Sequence, residues 1–345
     1  MNLTYRELAQ ISASKIVTIT APFAADGNQT KQNLIRIHAN EQVGQWRDST
    51  YGIGGGRIPF DVNTALVPAA LRSIAALSRA GILEFNATEV DAAAQIWEDD
   101  TLQFFEISIP QSEAKALVAS YADGVKIPSQ EALLDTVDLN FYAIALDGNN
   151  NLSQVAVMHT DDCFRHFLLN TTNQAQLTAF VNSTADNVRR RFPAGLMTDV
   201  SMLVANPAFG DDAIYAENFT TSAYHGTVVW SWQLAMMARG LELQLSRCGS
   251  SNVSKPEFCA EESVYNNVRG AYNILWDSLD ANKEHLSTEV WSWTFKSTDN
   301  GRDGEFKYID LGQLPPPPGN SPTESNAVQL WSLTFLAVTR ATAFR

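Results

Sequence analysis

Apolar residues return at helical spacing in six stretches of the chain. Residues 64–80 (TALVPAALRSIAALSRA) repeat Leu, Ile and Ala along one face and stop before Gly81, a helix-ending residue. Residues 88–104 open on Thr88 as a cap and repeat Ala, Ile, Trp and Leu. Residues 173–190 (NQAQLTAFVNSTADNVRR) predict an amphipathic helix. Residues 227–247 (TVVWSWQLAMMARGLELQLSR) are apolar nearly all round, which predicts a buried helix. Residues 264–281 and 324–342 predict two more. Between 104 and 160 the pattern changes. FFEISIP, LNFYAIAL and SQVAVMH read as short strands, with Asp147-Gly148-Asn149-Asn150 turning between the last two. The pattern therefore predicts a mainly α fold in a single domain over 1–345, with a small β insertion near 104–160. No internal repeat is visible, and Pro315 to Pro318 reads as a stiff extended segment.

Composition narrows the function classes. Apolar residues make up 45 % of the 345, enough for a sizeable core and against wholesale disorder. Lys and Arg number 24 against 38 Asp and Glu, a formal charge of −14. That balance opposes nucleic-acid binding, which needs clustered cations. No apolar run reaches the ~18 residues of a membrane-spanning helix. The opening MNLTYRELAQISASK lacks the basic start and apolar middle of a signal peptide. Yet eight Asn-X-Ser/Thr sequons occur, at Asn2, Asn28, Asn86, Asn151, Asn170, Asn182, Asn218 and Asn252. They suggest a secretory history, so secretion or residence in a secretory lumen is the expected localisation, and a native start upstream of residue 1 is expected with it. Cys248 and Cys259 flank a Gly/Ser/Asn/Pro loop, RCGSSNVSKPEFC, and a disulfide there fits such a compartment, leaving Cys163 over. Three free thiols are the alternative. Neither Cys-x-x-Cys nor His-x-x-x-His spacing occurs, so no metal site is expected.

Four segments look unlike scaffold. The first runs from Gln45-Trp46-Arg47-Asp48-Ser49 through Gly54-Gly55-Gly56-Arg57 to Asp61-Val62-Asn63. Its glycines allow close approach to a ligand, but no Lys-Ser/Thr follows them, against Walker-type phosphate binding. Asp61 and Asn63 serve equally well as helix caps. The second holds Tyr224 and His225 before an apolar helix, with Trp230, Trp232 and Gln233 in its first turns. Core packing is the plainer role of Trp232. The third places Glu289 beside Trp291 and Trp293, where desolvation raises a carboxyl pKa unless a partner holds the charge. An ion pair with Arg239 or Arg269 is the plainer role. The fourth places Thr323 as a cap and Glu324 in the first turn of the last helix, favourable to its dipole.

Taken in order, WRDS, GRIPFDVNTALVPAAL, YHGTVVWSWQ, TEVWSW and ESNAVQLWS resemble the six-hairpin glycosidases. The likeness is to glycogen-debranching-enzyme-like members, with trehalases more distant, and it runs from about residue 30 to 345. It implies an (α/α) toroid and inverting glycoside hydrolysis of an oligosaccharide or glycan. It implies Asp48 as general acid and Glu289 as general base, with no cofactor. Such chemistry needs one carboxyl to protonate the leaving oxygen and a second, about 6.5–9.5 Å away, to activate water. Trp46, Trp230 and Trp291 would stack on sugar, and Arg47, Tyr224, His225 and Gln233 would hold hydroxyls. Arg57, Asp61, Asn63 and Glu324 complete the substrate-contacting candidates. The acid loop arrives early and the helices are too few, so an incomplete toroid is expected. A missing N-terminal part or self-association would then cover its open face. Two other readings use the same residues. One is a catalytically inactive carbohydrate-binding or scaffold protein. The other is a sugar phosphorylase drawing on Arg47 and Arg57 for phosphate, against which Glu289 argues.

Overall fold

The computed structural model describes residues 3–39, 41, 44–49, 51–134, 138–148, 153–210, 212–249, 255–298, 304–316 and 329–345. Among these it is mainly helical, with several small sheets. The α-helices are α1 (Tyr5–Ala24), α2 (Val67–Arg79), α3 (Ala87–Asp100), α4 (Gln111–Val125), α5 (Asp162–Leu168), α6 (Gln174–Arg189), α7 (Ala213–Asn218), α8 (Ser231–Gly249) and α9 (Glu262–Ala281).

Local chemistry explains most boundaries. Thr4 and Glu7 form a reciprocal capping box at the start of α1. Asn86, not Thr88, caps α3 by accepting from the Thr88 amide, and Asn173 caps α6. Pro68 stands in the first turn of α2, where its missing N–H costs nothing. Lys126 adopts a left-handed φ of 62° to end α4. Helix α2 packs on α3, α5 on α8, α6 on α9 and α8 on α9. One buried side chain ties several of these ends together. Arg165 of α5 donates to the Thr64 carbonyl at 2.7 Å, the Glu98 carbonyl at 2.9 Å and Gln176 Oε1 at 2.5 Å. Gln244 of α8 likewise donates to the His166 carbonyl at 2.8 Å.

The strands are β1 (Ile58–Pro59), β2 (Glu106–Ile109), β3 (Leu139–Tyr142), β4 (Ala145–Leu146), β5 (Gln154–Val155), β6 (Met158–His159), β7 (Met197–Thr198), β8 (Ser201–Met202), β9 (Ala205–Asn206), β10 (Val229–Trp230), β11 (Val290–Ser297) and β12 (Gly304–Asp310). All pair antiparallel. The β-rich stretch 104–160 is not a self-contained insertion. It holds α4, and its strands reach outside it: β4 joins β1, and β6 joins β9. Gly56 permits the β1 contact, since a Cβ there would lie 2.5 Å from that of Ala145.

The helix predicted over 227–247 begins later. Val229 and Trp230 are extended and pair with Trp291 and Val290, because β-branched Val228 and Val229 favour a strand edge offered by β11. The helix predicted over 324–342 is replaced by a 3₁₀ run, Leu330–Ala337, and a tail with one further 3₁₀ turn, Thr342–Phe344, with 324–328 outside the described residues. Tertiary bonds hold that tail instead: Arg340 pairs with Asp277, and the Tyr272 hydroxyl accepts from the Ala341 amide at 2.7 Å. The hairpin β11–β12 and helices α1, α4, α5 and α7 are additions to the sequence reading. No described helix is long and apolar enough to cross a membrane. Cys248 and Cys259 are joined by a disulfide, and Cys163 is a buried free thiol.

Candidate functional site

The loops entering α2, α5 and α8 converge, and β11 brings Glu289 to the same place. Arg47 is the hub. Its guanidinium forks onto Asp161, with Nε 3.1 Å from Oδ2 and an Nη 2.8 Å from Oδ1. It also donates to the Val204 carbonyl at 2.8 Å and the His225 carbonyl at 3.4 Å. Trp46 lies over it, 4.5 Å from guanidinium carbon to ring centroid, and donates its indole N–H to Asp161 at 3.1 Å. Gly226 lets the Tyr224–His225 turn close, because a Cβ there would sit 2.1 Å from the Thr220 carbonyl oxygen.

On this frame the two predicted carboxyls come close enough to feel each other's charge. Asp48 is exposed, at 62 % of its side-chain surface, and its Oδ1 lies 3.8 Å from His225 Nε2. Glu289 is buried. Trp331 donates its indole N–H to Glu289 Oε1 at 2.8 Å, while Oε2 makes no hydrogen bond of good geometry. Burial pushes the Glu289 carboxyl above its ordinary range and the Asp48 charge adds to this, while the Tyr224 hydroxyl and Trp331 oppose it. Burial likewise pushes the Tyr224 hydroxyl well up, with Glu289 and then Asp48 adding to it. Asp48, Tyr224 and Glu289 thus share one electrostatic neighbourhood.

Around them stand four half-buried aromatics, Trp46, Tyr224, Trp232 and Trp331. Trp232 and Trp331 are parallel with centroids 6.2 Å apart, and Trp46 meets Trp232 edge to face at 4.9 Å. Trp232 Nε1 is buried without a hydrogen-bond partner among the described residues.

Several other candidates have structural work. Trp230 and Trp291 are fully buried, and their indoles donate to the Tyr224 and Val200 carbonyls, so neither offers a face to sugar. Arg47 is spent on Asp161 and two carbonyls, which removes it from hydroxyl binding. Asn63 clamps the backbone at Ile35 through both amide atoms, at 2.8 and 3.0 Å. Gln233 is buried and accepts from Cys163 Sγ at 3.4 Å. Arg57 lies elsewhere, bonded to the Ile37 carbonyl at 2.7 Å and beside Asp147 at 4.0 Å. Glu324 lies outside the described residues. Glu289 pairs with neither Arg239, which bonds Glu242, nor Arg269, which bonds the Phe344 carbonyl.

Asp61 stands just before a π-helical turn, Val62–Leu66, that leads into α2, and its side chain caps nothing. Its carboxyl is buried with no partner of good geometry, and burial, with the Asp161 charge, pushes it up to about 8. His159 is buried too, its Nδ1 accepting from the Asp161 amide at 3.0 Å. Burial lowers its pKa to about 4, which keeps it neutral.

Sequence reasoning missed Asp161, Ser49, Trp232 and Trp331 as parts of this site. Trp232, Trp331 and Ser49 lay inside segments already singled out, with Trp232 read as core. Asp161 carried only the weak signal of an Asp-Asp pair. Among the described residues no cluster of His, Cys, Asp and Glu could hold a metal ion. No family model matches the chain, and neither a curated protein nor a solved structure matches it.

Proposed function

We propose that the chain is a glycoside hydrolase that inverts the anomeric centre of an oligosaccharide or glycan. Asp48 is its general acid and Glu289 its general base. One observation carries the reading: two carboxyls far apart in the chain share one electrostatic neighbourhood beside a half-buried aromatic rim, one exposed and one held by an indole N–H. The side-by-side packing of α2/α3, α5/α8, α6/α9 and α8/α9 supports the matching fold, part of an (α/α) toroid.

Glu289 must be ionised to act as base. The Trp331 and Tyr224 donors stabilise the carboxylate against its burial. Trp331 fixes Oε1, which leaves Oε2 to take a proton from water as the water oxygen bonds to the anomeric carbon. Asp48 gives its proton to the leaving glycosidic oxygen as the C–O bond breaks. The edges and faces of Trp232, Trp331 and Tyr224 suit the apolar faces of a sugar ring. Phosphorolysis loses support, since both arginines it would use are already bonded. The disulfide and the sequons support a secretory origin.

The test is a glycan and disaccharide screen of the parent, Asp48→Asn and Glu289→Gln, with product anomers read by NMR. Release by the parent alone, with inverted configuration, is expected. Sugar binding without release in any of the three, all folded, would favour the binding-protein reading instead.

A further inference from the structure

The His225 ring stands between two residues of the acid loop. Its Nδ1 lies 2.9 Å from Ser49 Oγ, and its Nε2 lies 3.8 Å from Asp48 Oδ1. The side chain is buried, and Nε2 makes no hydrogen bond among the described residues. The ring is fixed in orientation. It stacks on Trp230 at 5.2 Å with 4° between planes, and Trp46 and Tyr224 meet it edge to face at 5.2 and 4.8 Å. Asp48, being exposed, is the partner free to close the remaining gap.

We propose that His225 is a positioning residue for Asp48: Ser49 donates its hydroxyl to Nδ1, which leaves the ring proton on Nε2, directed at the Asp48 carboxyl. This rests on the hydrolase reading for its purpose, though not for its geometry. As the Asp48 O–H bond breaks and the proton passes to the leaving oxygen, negative charge grows on the carboxylate left behind. A neutral donor aimed at that carboxylate stabilises it more than it stabilises the starting acid. The charged groups facing the imidazole are Asp48 and Arg47. Burial, with Arg47 adding to it, holds its pKa well below the ordinary value, so it stays neutral.

The tautomer is read directly by NMR on the full chain with ¹⁵N-labelled histidine, using His225→Phe to assign the ring. The parent is expected to carry the proton on Nε2 throughout the neutral range. Ser49→Ala is expected to shift it toward a mixture of both tautomers. A proton on Nδ1 in the parent, or no change in Ser49→Ala, overturns the proposal whether or not the chain cleaves sugar. Kinetics supply the second arm. With whichever sugar the screen releases, Ser49→Ala and His225→Phe should lose about 10–100-fold in kcat on a saccharide leaving group. They should lose far less on its 4-nitrophenyl glycoside, which departs with little need of a proton. Equal losses on both substrates would make His225 merely structural. A parent inactive on both sinks the hydrolase reading and leaves the tautomer result to decide the geometry.

Discussion

Arg47 and Asp161 form an ion pair at 2.8 Å in which neither side chain is more than 1 % exposed. Such a pair is costly to break from one side, because the remaining charge is buried without compensation. Arg47→Met should destabilise the fold by about 3–5 kcal/mol, read by urea denaturation. Arg47→Lys should recover only part of this, since an ammonium cannot reproduce the fork onto both carboxylate oxygens. A loss under about 1 kcal/mol for Arg47→Met would show that the pair is not the hub of the site.

The Trp331–Glu289 bond predicts a pH effect. If Glu289 acts as the proposed base it must be ionised, so activity is expected to fall as pH drops through the Glu289 pKa, which burial already raises. Trp331→Phe keeps an aromatic ring and removes the donor to the carboxylate. Its loss should raise that pKa further, because a bond that favours the charged form is gone. The acid limb of the kcat profile then moves to higher pH. An acid limb that stays put or moves to lower pH contradicts the assignment of Glu289 as base.

Asp61 predicts a pH-dependent stability. Its pKa rises from an ordinary 3.8 to about 8 on folding. The folded state thus holds a proton that the unfolded chain releases above about pH 4. Stability from this group is intact below that point and is lost at about 1.4 kcal/mol per pH unit until about pH 8. Asp61→Asn removes the titration. Its stability relative to the parent should climb between pH 4.5 and 8 and level off above. Parallel denaturation curves across that range would refute the buried, protonated carboxyl.

The Cys248–Cys259 bridge closes a short loop. The chain-entropy treatment gives about 3 kcal/mol for a loop of this length. The double substitution Cys248→Ser, Cys259→Ser should lower stability by about that much and leave the candidate site untouched, since neither cysteine contacts it. Unchanged thermal melting would mean that the ends are held together equally well without the bond.

Much of the scaffold was legible locally. The periodicity of 64–80, 173–190 and 264–281 corresponds to α2, α6 and α9 because each presents one apolar face to a core, and that face is written every three to four residues. FFEISIP, LNFYAIAL and SQVAVMH each contain strands, because short apolar runs between turn residues have few other ways to bury themselves. Helix α1 escaped notice: its Ile16, Val17, Thr18, Ile19 and Thr20 are β-branched, and only capping by Thr4 and packing against α2 and α3 make them helical. The last predicted helix failed for the opposite reason. Apolar content alone did not set its period, and Trp331 turned toward Glu289 within a 3₁₀ run.

At the site, residue types singled out Glu289 amid aromatics, the loop that carries Asp48, and Tyr224 with His225; the pairing of the two carboxyls came from the family resemblance. Only tertiary structure decided which aromatics and arginines face solvent. Trp230 and Trp331 look alike as letters, yet β10 pairs the first into the core, while the second stays half-exposed over a carboxyl. Arg47 reads as a free cation until folding sets Asp161 against it. Burial and partnering depend on residues distant in the chain, and those terms set both the charge state and the accessibility of a side chain.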